Sequence, residues 1–108
     1  MIVEIVFFDL PPQTTREATA ELYSRTAAKW LTNPDLVQKY YFFDEPRMRG
    51  GGVYIWRSRE AAEHWHGDDY RRMIRSLYGS EPRIEILDAL IHVDPGQAEI
   101  TQFPATLG

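Results

Sequence analysis

The chain has no cysteine, which excludes disulfides, zinc–thiolate sites, iron–sulfur clusters and thiol catalysis. No apolar run approaches the ~20 residues that span a bilayer, so no membrane partner is expected. Residues 1–10 lack the basic start, long apolar core and small-residue cleavage site of a secretory signal, and a cytoplasmic protein is expected. A surplus of positive charge is missing too. The net charge is −4 and the isoelectric point about 5.3. Nucleic acid needs an electropositive face, so it is not an expected partner. Arg71, Arg72 and Arg75 cluster, but Glu60, Glu63, Asp68 and Asp69 balance them. Histidine is scarce, with three in all: His64, His66 and His92.

What is present suits one domain with a substantial core. Of 108 residues, 44% are hydrophobic and 13% aromatic, well above a disordered chain. The segment Gly50-Gly51-Gly52-Val53-Tyr54-Ile55-Trp56 organises the rest. Its four large residues read as a strand. Val53 and Ile55 point one way, Tyr54 and Trp56 the other. Ile2–Phe8, interrupted only by Glu4, predicts a second central strand, ended by Pro11-Pro12. Thr14 and Glu17 form a capping-box pattern for a helix to about Leu31, with Ala20, Tyr23, Ala27, Trp30 and Leu31 on one face.

Leu36–Phe43 predicts a further strand, joined to Gly51–Trp56 by a charged turn. Ser58 opens a short helix broken at Gly67, and Asp68 is a candidate cap for the next, whose apolar stripe is Tyr70, Met73, Ile74, Leu77 and Tyr78. Gly79 suits a left-handed terminator. Ile84–Val93 reads as the last strand, and residues 95–108 as a tail without clear period. The plan is α+β: a ferredoxin-like βαββαβ domain over residues 1–94, with a four-stranded antiparallel sheet and its second helix split in two. Helices can cover one sheet face only. The other face is also apolar, so a homodimer packed sheet on sheet is expected.

Arg49-Gly-Gly-Gly-Val-Tyr-Ile-Trp56, followed by Ser58, Ala61, Ala62 and Trp65, resembles the dimeric α+β barrel superfamily. Within it the chain is similar to the YdhR-like and antibiotic-biosynthesis-monooxygenase-like families. Gly51, Gly52, Val53, Tyr54, Ile55, Trp56 and Ala61 match their loop–strand–helix pattern, and Leu90-Ile-His-Val93 is similar to their apolar final strand. The resemblance implies a cofactor-free monooxygenase-like enzyme acting on a small aromatic or polycyclic metabolite. The scaffold also hosts isomerases, cyclases and non-catalytic binders, so a binding or accessory dimer stays open. The haem-degrading branch carries an Asn on its first strand and a His on the helix after the Trp. This chain has neither, so haem degradation is not implied.

His92 lies in an apolar strand, and imidazole is a common general base, which makes it a candidate catalytic base. Tyr54 is the second candidate catalytic residue. Tyr40, Trp56, Trp65, Tyr70 and Arg71 are candidate substrate contacts: aromatic walls, hydroxyl or indole donors, and a cation for an anionic ligand. His64 and His66 are two apart, so on a helix they diverge. No metal site is expected from them, and both read as surface residues. Neither metal nor other cofactor is expected. The glycines at 50–52 precede a strand and form no dinucleotide fingerprint.

Overall fold

In the computed structural model, residues 1–104 are described. Strand β1 (Ile2–Asp9) leads to helix α1 (Arg16–Trp30). Strands β2 (Leu36–Asp44) and β3 (Arg49–Trp56) form a hairpin. Helices α2 (Arg59–Trp65) and α3 (Asp68–Tyr78) return the chain to β4 (Arg83–Asp88). A small hairpin follows, β5 (Ile91–Asp94) and β6 (Glu99–Gln102). The main sheet is antiparallel in the order β2-β3-β1-β4. This is the ferredoxin-like arrangement, with the three helices against one face.

Period-two alternation sets the two faces. Ile2, Glu4, Val6 and Phe8 of β1 are buried beneath the helices, and across the ladder they meet Trp56, Tyr54, Gly52 and Gly50. Val3, Ile5 and Phe7 share the opposite, half-exposed face with Ile55 and Val53. Both apolar faces expected of the central strands are present.

The helix caps follow the sequence with small shifts. Thr15, one residue beyond the expected cap, accepts from Ala18 N at 3.1 Å. Thr14 instead donates to the Pro11 carbonyl. The inward stripe of α1 is Thr19, Leu22, Tyr23, Thr26 and Trp30, whereas Ala20 and Ala27 are exposed and Leu31 is 87% exposed. Ser58 caps α2 as expected. Asp68 does not cap α3. Gly67 holds that position without a side-chain bond, and Asp68 and Asp69 sit in the first turn near the helix's positive end. Gly79 closes α3 at φ 79°.

The last strand is split rather than continuous. Ile2 pairs with Asp88, and Met1 O accepts from Ala89 N. Beyond that point β1 offers no further ladder, so residues 91–94 pair with 99–102 instead. The expected tail therefore contributes a strand; its Leu107 lies outside the described residues.

Candidate functional site

A chamber opens between the sheet and helices α1 and α3. Phe8, Tyr23, Trp30, Lys39, Tyr41, Gly51, Tyr54, Tyr70 and Met73 are among the residues that line it. Its free volume is about 30 Å³, room for a water or two at ~10–15 Å³ each. It shares Lys29, Trp30, Tyr70 and Met73 with an outer cleft of about 400 Å³, which Asn33, Pro34, Trp65 and Asp69 complete. A volume of roughly 300–1,000 Å³ is typical of small-molecule sites.

The floor is built by β3. Gly51 is at φ 155°, and a Cβ there would lie 1.8 Å from the Val6 carbonyl oxygen, so only glycine fits. Tyr23 from α1 reaches the backbone of this floor. Its hydroxyl donates to the Phe42 carbonyl at 3.0 Å and accepts from Gly51 N–H at 3.0 Å. A Cβ at Gly50 would sit 2.3 Å from the same hydroxyl.

Lys39 projects from β2 into an aromatic cage. Its Nζ lies 3.9 Å from the Tyr41 ring centre, 4.3 Å from Trp30 and 4.4 Å from Tyr54. Burial, with Lys29 nearby, pushes its ammonium down to about 7. The tyrosines are held in the opposite sense. Burial raises Tyr54 and Tyr70 well above the usual phenol range, and their hydroxyls interact. Tyr23 and Tyr41 are raised by burial as well. The chamber thus combines an amine near its own midpoint with phenols that keep their protons.

Behind Tyr54 lies a sealed polar pair. Glu4 and His66 are 0% and 5% exposed. Glu4 Oε1 bonds to His66 Nδ1 and accepts from Trp56 Nε1 at 2.9 Å. Glu4 Oε2 and His66 Nε2 have no hydrogen-bond partner among the described residues. The imidazole packs edge-on against Tyr54, ring centres 4.4 Å apart, and lies 4.1 Å from the Tyr70 ring. Tyr54 and Trp56 stack at 4°. A buried carboxylate is tolerated only when paired and hydrogen-bonded, so this pair fixes the wall that carries both tyrosines.

The predicted site residues distribute unevenly. Tyr54 lines the inner chamber, Tyr70 both chambers and Trp65 the outer cleft, where its indole donates to Asp35 at 3.1 Å. Trp56 is fully buried behind the chamber. Tyr40 points from the opposite sheet face and is 67% exposed. Arg71 lines neither chamber. His92, on β5, lines a separate groove with Val3, Ile55 and Phe103 on that opposite side. His66, expected at the surface, is instead buried.

Sequence reading passed over Lys39, Glu4 and His66. Parity could have found the first two. Glu4 keeps step with Ile2, Val6 and Phe8, and Lys39 with Tyr41 and Phe43, so each belongs to a buried face. His66 is four residues beyond Ala62, on the packed side of α2.

No family model matches the chain, and no curated protein does. Among solved structures, one described as the crystal structure of antibiotic biosynthesis monooxygenase superimposes with a TM-score of 0.62 at 18% identity. The match covers 83% of this chain and 99% of the other. No helix among the described residues is long and apolar enough to cross a membrane. The chain therefore has a ferredoxin-like α+β fold, and shares that fold with the solved antibiotic biosynthesis monooxygenase.

Proposed function

We propose that this chain is a cofactor-independent, monooxygenase-like enzyme for a small aromatic or polycyclic metabolite, working as a cytoplasmic homodimer. The observation that carries the reading is the two-chamber cavity, whose aromatic walls bear an amine and phenolic donors. An acidic aromatic ligand in the outer cleft would lie beside Trp30 and Tyr70 and direct a polar edge inward. Deprotonation makes its ring electron-rich enough to react with dioxygen. One oxygen atom replaces a ring hydrogen and the other leaves as water, so a phenol, C–H and O₂ become a quinone and H₂O. The protein orients the ring, excludes water, and offers Tyr54 or Tyr70 as a hydrogen-bond donor to the oxyanion.

The dimer reading rests on the uncovered sheet face. Val3, Ile5, Val53, Ile55 and Leu87 lie there, and of these Val3 and Ile55 line a groove with the β5–β6 hairpin. Leu90, Ile91, Val93 and Ile100 of the hairpin are exposed too. A second copy, sheet to sheet, would cover both.

Oxygen consumption with naphthols and anthrols is the test. Uptake coupled to quinone formation, lost in Tyr70→Phe or Tyr54→Phe, is the expected result. Binding without uptake leaves a non-catalytic binder, which the small inner chamber also favours. Product formed without oxygen would point to an isomerase or cyclase.

A further inference from the structure

We propose that Lys39 is the acid–base group of this cavity: its amine takes the proton of a bound acidic hydroxyl, and the resulting ammonium holds the oxyanion against the Trp30 and Tyr54 rings. The inference deepens the aromatic-ligand reading above and rests on it.

Four observations converge. The chain has two lysines in all, Lys29 and Lys39, and both line the inner chamber. No carboxylate lines that chamber, and Lys39 makes no ion pair among the described residues. A half-buried cation without an internal counter-ion, in a protein of net charge −4, is a place for a ligand anion. Lastly, three ring faces surround the ammonium and stabilise its charged form. Burial and Lys29 oppose them, so the amine can both take and hold a proton near neutrality.

The groups facing Lys39 leave it that role. From α1 comes Lys29, a like charge. From β2, β3 and α3 come Tyr41, Tyr54 and Tyr70, all held protonated by burial. Glu4 is engaged with His66 and Trp56 behind the wall. The step balances without oxidant: the ligand O–H breaks, its electron pair stays on oxygen, and the proton joins the neutral Nζ.

The test uses 4-nitrophenol, whose anion absorbs visibly, and 4-nitroanisole, which cannot ionise. In wild type the bound phenol should ionise about one unit or more below its free value. Lys39→Met should bind the anisole as before and lose that shift. With ¹³C-lysine labelling, the Lys39 side-chain signal, assigned with Lys39→Arg, should titrate near neutrality. A shift that persists in Lys39→Met overturns the proposal alone, as does a lysine titration at the ordinary alkaline value. Failure of both probes to bind wild type overturns the aromatic-cavity reading and this proposal with it.

Discussion

The Tyr23 hydroxyl and the Gly51 amide are hydrogen-bonded at 3.0 Å across 28 residues of sequence, and this single contact ties helix α1 to the middle of the sheet. The same hydroxyl donates to the Phe42 carbonyl, so it bridges two backbone groups. Replacing Tyr23 by Phe keeps the ring stacked on Tyr41 but strands a buried N–H. A loss of about 1–3 kcal/mol in urea unfolding is expected. Gly51→Ala should cost about 3 kcal/mol or more, because its Cβ would strike the Val6 carbonyl. Equal stability of Tyr23→Phe and wild type would mean that this bond is not formed in solution.

The Glu4–His66 pair predicts strong coupling. Glu4→Leu leaves a buried imidazole and the Trp56 N–H without their acceptor, and should cost about 3–5 kcal/mol. Removing both partners together, as Glu4→Leu with His66→Leu, should cost less than the sum of the single changes by about 2 kcal/mol. A double-mutant cycle by chemical denaturation measures that difference. Additive losses would show that the two side chains act independently.

Lys39 gives the folded state a pH signature. Its folded value, about 7, lies below the ordinary 10.5. Between these values the unfolded chain binds more protons than the folded one, so stability rises with pH across that window. Below about 7 the penalty for burying the charge is present in full. Lys39→Met should therefore melt higher than wild type at pH 6, and its advantage should shrink toward pH 10. Thermal melts at several pH values test this, and a constant difference would contradict it.

The uncovered sheet face predicts association. Light scattering should give about twice the chain mass of 12.6 kDa at micromolar concentration. Val53→Glu sets a charge among Ile5, Ile55 and Tyr40. Burying that charge at an interface should cost about 2–5 kcal/mol and yield monomer. A wild-type monomer, or a Val53→Glu dimer, would count against the sheet-to-sheet arrangement.

Much of the scaffold was legible because its signals are local. Four large residues after three glycines marked β3, Ser58 marked the start of α2, and Gly79 the end of α3. The opposing faces of Val53/Ile55 and Tyr54/Trp56 follow from strand parity alone. The split of the last strand was not legible, because it depends on where β1 runs out of backbone rather than on residues 84–93 themselves. The cavity lining was legible in part. Tyr54 and Tyr70, singled out by their aromatic bodies and polar tips, both line it. Lys39 was passed over because a lysine in isolation reads as surface; parity with Tyr41 and Phe43 places it on the inner face, but the cage of rings from α1 and two strands is tertiary. His92 met the criterion of an apolar neighbourhood in sequence, but β5 carries it to the other side of the sheet.

The alternation of β1 has one more consequence. A slip of one residue against β3 would exchange Ile2, Glu4, Val6 and Phe8 for Val3, Ile5 and Phe7 beneath the helices. Apolar burial would change little, since both sets are hydrophobic. What would change is Glu4, turned out to the open face and away from Trp56 and His66. The two sets are nearly degenerate in hydrophobicity, and a single charged residue distinguishes them. In the observed register Glu4 meets Trp56 and His66, and that polar contact is what a slipped strand would forfeit.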